Sequence, residues 1–515
     1  MTFFLALSPM IAVAVGALLL MLAEAFGKPA DGGIAETGIV VDAGAGRSAE
    51  LALGSSVILL AGAVFSIAVW MVGPENIEGV EKLAPYLVID RFSIFWSFVL
   101  CLGGALAAMF AGGYLPEHGL ERGEFFPLLL FSTVGAMALA AAGDLLTLFI
   151  SLETMSLGVY CLIGLRRGSP RASEAALKYY LLGSFAAALL LFGGALLYGA
   201  TGHTDLVGIG KAVSEIGQPG NLSSPATPAM VLIALVLTLT GLAFKVSAVP
   251  FHQWTPDAYE GAPTPTTTYM AVAVKSAAFA VLLRVLLVGF GDERLMSWGT
   301  GWPPALALLA VLTMTVANVV AGRQESVKRM LAYSSIAHAG YAMIGVVATL
   351  RSPEGQASVL FYLLAYTVST AGAFGALILC GRRGAEAVSY EDLAGIGKRH
   401  PAAALAFSLF LLSLAGIPPT AGFFGKLFVF RAAIDSELYA LAVIGLLNSI
   451  IGAYYYLRVM VFMYMREPVP GAPVATPMRS GFVATGLLIA AVLVLLIGIL
   501  PGLSLDMALA AGLAR

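Results

Sequence analysis

Fourteen separate runs of mainly apolar residues divide this chain almost from end to end. A run of about 18 or more such residues is what an α-helix needs to cross a hydrocarbon core roughly 30 Å thick. The runs predict an all-α polytopic membrane protein with about 14 transmembrane helices. They cover approximately residues 3–26, 50–72, 92–114, 125–143, 145–166, 174–199, 228–249, 264–290, 303–321, 327–349, 356–381, 402–433, 438–464 and 482–505.

The composition excludes an ordinary soluble domain and most cofactor sites. Only 11% of the 515 residues are charged, against about 25% in soluble proteins. The first run has no basic residue before it and is too long for a cleaved signal, so we expect a retained span. The cysteines, Cys101, Cys161 and Cys380, are far apart and predict no disulfide framework, iron–sulfur site or zinc site. Dinucleotide-binding and phosphate-loop motifs are absent from the sequence, so any redox chemistry would belong to another polypeptide.

The basic residues predict how the chain is oriented, because Lys and Arg in short loops accumulate on the cytoplasmic side. Loops after odd-numbered runs hold Lys28, Arg47, Arg122, Arg166, Arg167, Arg171, Arg323, Lys328, Arg329, Arg382, Arg383, Lys398, Arg399, Arg466 and Arg479. The opposite side holds Lys82, Arg91, Lys211, Arg294, Arg351 and Arg515. This asymmetry predicts that both termini face away from the cytoplasm.

Two of the runs are interrupted by proline, the seventh at Ser247–Pro250 and the twelfth at Gly416–Thr420. Proline breaks the helical hydrogen-bond ladder, and such a break survives in a membrane only where the freed groups face protein or water. The interruptions fall five runs apart, which predicts two inverted five-helix repeats with broken helices meeting near the midplane. The expected divisions are 1–124, a three-helix segment; 125–290, the first repeat; 291–465, the second; and 466–515, a C-terminal helix.

Charged residues inside the runs are the main functional signal. Lys245, Lys275 and Lys426 lie in or at the edge of apolar runs, and Glu153 lies about eight residues into the fifth. Each such charge costs roughly 2.5–3.5 kcal/mol near the bilayer centre, which favours a role in proton or ion movement. The alternative for Glu153 is a neutral acid that is hydrogen-bonded to a neighbouring helix.

Lys245 and His252 flank the break in the seventh run. A lysine near water and a carboxylate can switch its protonation state, because burial and charge oppose each other. An imidazole can relay protons near neutral pH, although a histidine at a helix break is often structural.

Four more residues complete the candidate route. Lys275 lies close to mid-membrane, Lys426 lies seven residues after Pro419, and His338 follows two serines in the tenth run. Lys178, four residues after Glu174, is either part of the route or an interfacial lysine reaching for headgroups. Three arginines nearer to span ends, Arg284, Arg431 and Arg458, are interpreted as snorkelling or structural ion-pair residues.

Four segments resemble a known family. They are 146–157 (LTLFISLETMSL), 174–185 (EAALKYYLLGSF), 244–265, which includes PFHQWTPD and EGAPTP, and 416–426 (GIPPTAGFFGK). They are similar to the N-type subunits of proton-pumping NADH:quinone oxidoreductase, respiratory complex I. The wider antiporter-like family also includes subunits of multisubunit cation/proton antiporters.

The resemblance implies one proton channel in which Glu153 pairs with Lys245 and Lys275 is the central station. It also implies that His252 and Lys178 assist and that Lys426 lies toward the outlet. The L-type subunit carries a long lateral helix after its last span, whereas this chain ends about ten residues after the fourteenth. The M-type usually has glutamate where this chain has Lys426. These two differences argue against the L-type and the M-type.

The resemblance further implies a hetero-oligomer with other complex I membrane subunits in the bacterial inner membrane. NADH, FMN, iron–sulfur clusters and quinone are then expected on partner subunits, with no cofactor on this chain. Two alternatives stay open, a subunit of a cation/proton antiporter and a proton-silent scaffold. A scaffold has no reason to bury several lysines at a combined cost of order 10 kcal/mol.

Overall fold

The computed structural model describes residues 2–26, 43–120, 122–216, 226–299, 301–381, 386–468 and 475–513. Of the basic residues used to predict orientation, Lys28, Arg382, Arg383 and Arg515 lie outside these ranges, as do 469–474 and 514–515 of the expected C-terminal segment. The described α-helices are α1 Thr2–Phe26, α2 Ala43–Val72, α3 Arg91–Glu117, α4 Phe125–Ala141, α5 Leu145–Ile163, α6 Pro170–Thr201, α7 Leu206–Glu215, α8 Ala226–Lys245, α9 Trp254–Gly261, α10 Thr264–Tyr269, α11 Lys275–Arg284, α12 Pro303–Ala321, α13 Val327–Ala348, α14 Pro353–Leu379, α15 Ile396–Arg399, α16 Pro401–Ala415, α17 Ala421–Asp435, α18 Tyr439–Met465, α19 Gly481–Ile499 and α20 Pro501–Ala510.

Each apolar run coincides with one helix or with two successive helices. Twelve described helices are long and apolar enough to cross a membrane, and α4 and α16 are shorter apolar helices. One of the twelve, Thr264–Gly289, combines α10 and α11 with two π-helical segments, Met270–Val274 and Val285–Gly289. The predicted all-α membrane fold is confirmed. The number of crossings, the inverted relation of the repeats and the four-part division stay predictions.

Four helices form the enclosed centre of the molecule. The most apolar stretches of α3, α13, α14 and Thr264–Gly289 are each 94% buried, whereas those of α1, α18 and α19 are 28–39% buried. The outer helices present rows of apolar side chains, which suits contact with lipid or with another apolar surface. Polar groups on the central helices are therefore shielded by the protein itself.

Both predicted interruptions are present. Helix α8 ends at Lys245, just before Ser247–Pro250, and α16 and α17 are separated at Gly416–Thr420. Two side chains help to satisfy the backbone groups at the first break. The Trp254 indole N–H donates to the Phe244 carbonyl at 3.1 Å, and the Val249 N–H donates to Thr313 Oγ1 at 2.9 Å. The break is therefore held inside protein, as its position in an apolar run requires.

Two helices depart from the expected pattern. Helix α7 has only ten residues, so it is too short to be counted as an apolar run. Asp205 is its N-cap, and the carboxylate accepts the Gly208 N–H at 2.6 Å. The last run ends earlier than expected, at Ile499, because Pro501 cannot continue the hydrogen-bond ladder and instead starts α20. Helix α20 then packs against α14.

Candidate functional site

The Lys245 ammonium lies in a cage of aromatic rings at the end of α8. Its side chain is 3% exposed, and Nζ donates to the Ser156 hydroxyl of α5 at 2.8 Å. The rings of Tyr160, Tyr179 and Phe244 have their centroids 5.6–5.9 Å from Nζ. A hydroxyl and three ring faces stabilise a cation without fixing it as a carboxylate would.

Glu153 acts on Lys245 through space rather than through a direct contact. No ion pair within 4.0 Å joins the two side chains in the part of the chain that the structure describes. The lysine instead binds Ser156, which lies one helical turn after Glu153, and the carboxylate interacts with the lysine electrostatically. Glu153 Oε1 is buried and has no hydrogen-bond partner among the described residues.

Lys275 occupies the centre of the molecule, directly after the π-helical segment Met270–Val274. It is 2% exposed, and Nζ donates to both the carbonyl and the hydroxyl of Ser335. The Tyr366 hydroxyl donates to the same Ser335 hydroxyl at 2.8 Å, and its ring lies 5.7 Å from Nζ. Single π turns inside α-helices occur frequently at functional sites, which is a signal that the sequence did not reveal.

His338 extends this polar cluster through three tyrosines. Its Nδ1 lies 2.6 Å from the Tyr362 hydroxyl and its Nε2 lies 3.0 Å from the Tyr456 hydroxyl. Ser334 also hydrogen-bonds Tyr456, and the His338 ring centroid is 5.1 Å from that of Tyr366. A neutral imidazole donates through one nitrogen and accepts through the other, so His338 links the two phenols.

Lys426 is held by the second helix break. Its ammonium donates to the Ala415 carbonyl at 2.9 Å and to the Ser449 hydroxyl at 2.9 Å. It also lies 5.3 Å from the centroid of the Tyr341 ring. Because α16 ends at Ala415, this carbonyl has no helical donor, and the break itself supplies a ligand for the lysine.

His252 and Lys178 lie in different surroundings. His252 belongs to the segment between α8 and α9, and its buried Nδ1 has no hydrogen-bond partner among the described residues. Lys178 is 43% exposed and forms ion pairs with Glu174 at 2.6 Å and Asp257 at 2.9 Å. The structure thus places Lys178 in a surface charge network and not beside Lys245.

The first turn of α13 holds the short helix α9 through three polar contacts, which we call the α9–α13 clamp. They join Ser326 to Glu260 at 3.0 Å, Lys328 to the Ala262 carbonyl at 2.7 Å, and Arg329 to Asp257 at 2.8 Å. Burial alone would raise the pKa of Asp257, but hydrogen bonds from Lys178 and Arg329 outweigh burial and lower it.

Glu386 completes a buried ion pair that the sequence did not predict. Its carboxylate lies 3.0 Å from the Lys328 ammonium, accepts from Thr264 at 2.6 Å and also accepts from Tyr114. Burial alone would raise the pKa of Glu386, but the Lys328 charge and these hydrogen bonds lower it to about 2. Glu386 lies in a loop without periodic apolar residues, and its partners are distant in sequence, so no local pattern indicates its role.

Of the three arginines interpreted as snorkelling or structural ion-pair residues, Arg284 and Arg431 form ion pairs, whereas Arg458 donates to backbone carbonyls. Arg284 is 3% exposed and binds both carboxylate oxygens of Asp90 at 2.9 and 3.0 Å. Arg458 donates to the Gly322 carbonyl at 3.1 Å, and Arg431 lies 3.5 Å from Asp435. Within the described ranges, no group of three or more His, Cys, Asp or Glu side chains is arranged to hold a metal ion.

The comparisons with known proteins agree with this geometry. Residues 142–452 match the family model described as "NADH:quinone oxidoreductase/Mrp antiporter, TM". The chain is 68% identical over 512 residues to NADH-quinone oxidoreductase subunit N 1 of Sorangium cellulosum, with 99% of each chain covered. The chain belongs to the subunit N family of NADH-quinone oxidoreductase. A subunit N of Myxococcus xanthus is 40% identical over 528 residues, covering 97% of this chain and 95% of that protein.

Solved structures place the subunit N chain among antiporter-like folds. A chain of respiratory complex I from Thermus thermophilus with bound aureothin is 35% identical, with a TM-score of 0.75, 98% of this chain covered and 100% of that one. A chain of the Mrp complex from Dietzia sp. has a TM-score of 0.81 and covers 99% of this chain and 97% of its own. Because its identity is only 23%, the Dietzia likeness supports the fold alone.

Proposed function

We propose that this chain is the proton-translocating membrane subunit N of a NADH:quinone oxidoreductase, driven by quinone reduction in other subunits. The observation that carries the mechanism is the set of partners around Lys245, Lys275 and Lys426. Each ammonium is buried and bound by hydroxyl or carbonyl oxygens, and no described carboxylate lies within ion-pair distance. A buried amine without a fixed counter-ion can gain and lose a proton as its surroundings change.

A structural lysine in the same chain provides the contrast. Lys328 is as deeply buried, but a carboxylate neutralises it at 3.0 Å. Such a pair fixes the charge, because removing either partner leaves an uncompensated buried group. Among the described residues, no carboxylate pairs in this way with the other three lysines, which supports a transport role rather than a packing role.

The proposed route contains the residues predicted from sequence, namely Glu153, Lys178, Lys245, His252, Lys275, His338 and Lys426. Glu153 favours the charged form of Lys245 through space, and a shift of that carboxylate or of α8 would release the proton. Lys275, Ser335 and His338 form the central stations, and Lys426 serves the far end. Lys178 assists from the surface network.

The working assembly follows from the family. NADH, FMN, iron–sulfur clusters and quinone bind to partner subunits, and this chain binds other membrane subunits and lipid. We place it in the bacterial inner membrane as a multi-pass protein with both termini on the non-cytoplasmic side. The segments 125–290 and 291–465 act as two inverted repeats between 1–124 and 466–515.

The test is NADH-driven proton uptake in inverted vesicles from cells lacking this chain, complemented with the native form or with Lys245→Ala. We expect deletion to abolish quinone-linked NADH oxidation, the native chain to restore it, and the variant to assemble but pump poorly. Lys82→Ala, at an exposed lysine, is the matched control and should behave as native. Unchanged turnover and pumping stoichiometry in Lys245→Ala would show that the mechanism is wrong.

A cation/proton antiporter subunit is the second candidate function. The fold likeness to a chain of the Mrp complex favours it, and buried lysines without counter-ions would suit an exchange cycle. In the same deletion strain, normal NADH-driven pumping together with lost salt or alkali tolerance would assign the chain to that class.

A further inference from the structure

Asn318 lies in the last turn of α12 with its side chain inside the molecule. The side chain is 0% exposed, and both of its polar atoms bind tyrosines. Its Nδ2 donates to the Tyr341 hydroxyl of α13 at 2.9 Å, and its Oδ1 accepts from the Tyr455 hydroxyl of α18 at 2.9 Å. A buried amide is costly unless it is hydrogen-bonded, so these two bonds tie three helices together at one point.

The ring of Tyr341 connects this amide to two stations of the route. The Lys426 ammonium lies 5.3 Å from the ring centroid, and the His338 ring meets it edge-on at a centroid distance of 5.7 Å. The attraction between an ammonium and an aromatic ring requires the cation to lie over the ring face, within about 6 Å of the centroid. The hydrogen bond at the phenol end of Tyr341 therefore helps to decide how the ring meets Lys426.

The second hydrogen bond of the amide reaches the surroundings of His338 from α18. The ring centroids of Tyr455 and Tyr456 are 4.5 Å apart, and the Tyr456 hydroxyl lies 3.0 Å from His338 Nε2. Gly452, three residues before Tyr455, leaves space for the amide, since an added Cβ would lie 3.2 Å from Asn318 Oδ1. Both tyrosines that bind Asn318 thus adjoin residues of the route.

We propose that Asn318 is a positioning residue for the Lys426 station. Its amide holds the Tyr341 ring against the Lys426 ammonium and anchors α18 through Tyr455. An amide suits this role because its nitrogen only donates and its oxygen only accepts, so each tyrosine is bound in one sense. No described hydrogen bond joins Asn318 to Lys426 or His338 directly, and Asn318 therefore acts through the tyrosines.

The proposal rests on the proposed function, and Asn318→Leu in the whole membrane complex tests it. Leucine keeps a branched side chain but neither donates nor accepts a hydrogen bond. We expect the variant to assemble and its NADH-driven proton uptake to fall about threefold or more, since a misplacement of about 1 Å can cost up to about 10²-fold.

Thr315→Val is the matched control. It removes another hydrogen bond between α12 and α18, from Asn448 Nδ2 to Thr315 Oγ1 at 3.3 Å, and leaves both tyrosine bonds in place. Its proton uptake should stay native. An equal loss in this control would show that any weakened contact between α12 and α18 slows pumping, and it would overturn the proposal.

Tyr341→Phe separates positioning from stability, because it removes the hydroxyl and keeps the ring. Uptake should fall, and the double variant with Asn318→Leu should be no slower than the slower single variant, since both changes break one bond. A role in stability alone would lower the thermal midpoint of Asn318→Leu but leave uptake per assembled complex native, which would overturn the proposal. If Asn318→Leu fails to assemble, Tyr341→Phe decides alone, and native uptake overturns the proposal.

Lys426→Ala distinguishes a failure of this proposal from a failure of the proposed function. If Lys426→Ala is impaired while assembled Asn318→Leu and Tyr341→Phe pump natively, only the positioning role is wrong. If Lys426→Ala also pumps natively, the proposed route through that lysine fails as well.

Discussion

Lys328 and Glu386 form an ion pair with an ammonium–carboxylate distance of 3.0 Å, and the lysine side chain is 1% exposed. The pair joins the start of α13 to the loop that follows α14. The same lysine also donates to the Ala262 carbonyl, so the pair and the α9–α13 clamp share one residue.

Glu386→Gln should destabilise the protein strongly. The substitution leaves the buried Lys328 charge unpaired, which typically costs about 3–5 kcal/mol. Thermal unfolding of the purified complex should show a lower midpoint and reduced yield. The double variant Lys328→Met/Glu386→Gln should recover much of the loss, because it removes both charges. A single variant as stable as the native chain would contradict the pairing.

The ion pair also predicts how stability depends on pH. The native pKa of Glu386, about 2, lies below its ordinary value of 4.5. Its stabilisation is therefore complete above about pH 4.5 and is lost as the pH falls toward about 2. Unfolding measured from neutral to acidic pH should show this decline in the native protein. The decline should be weaker in Glu386→Gln, and equal slopes in both forms would contradict the assignment.

Lys275→Arg should pump protons poorly although it keeps the positive charge. Arginine stays protonated at all working pH values and is larger than lysine, so it cannot release a proton to Ser335 or His338. We expect NADH-driven proton uptake to fall as far as in Lys275→Met. Native pumping by the arginine variant would show that a fixed charge is sufficient at this position.

Gly416→Ala should displace the Lys426 side chain in addition to straining the backbone. Gly416 has φ +86°, and an added Cβ would lie 2.9 Å from Lys426 Cδ. Gly119 is the matched control, since it has φ +61° and no atom within 4 Å of an added Cβ. Both substitutions should cost about 1–2 kcal/mol of left-handed strain. Only Gly416→Ala should lower proton uptake per NADH oxidised. Equal uptake in both variants would show that the space at Gly416 does not matter for the function of Lys426.

The sequence locates the charged residues within apolar helices, because that placement depends on local runs of apolar side chains. Lys275 lies mid-run in the sequence and at the buried centre of Thr264–Gly289 in the structure. The two helix breaks are likewise local, since proline acts on its own backbone.

The partners of those residues could not be predicted in the same way. Lys275 binds Ser335, 60 residues away, and Tyr114 binds Glu386, 272 residues away. Such pairs depend on how each helix is rotated and where it packs, which periodicity does not encode. The resemblance implies that Glu153 pairs with Lys245, and the structure adds a hydrogen bond from the lysine to Ser156, about one helical turn after Glu153. Only tertiary packing decides which side chain of α5 meets the ammonium.

The α9–α13 clamp fastens α9 to the helix that carries Ser335 and His338. Helix α9 also packs on α6, as α8 does, and the Trp254 indole of α9 donates to the Phe244 carbonyl of α8. Phe244 is the residue before Lys245, so a displacement of α13 that moved α9 would reach the end of α8 through this bond. The clamp thereby links the surroundings of Lys245 to the helix that holds the Ser335 ligand of Lys275.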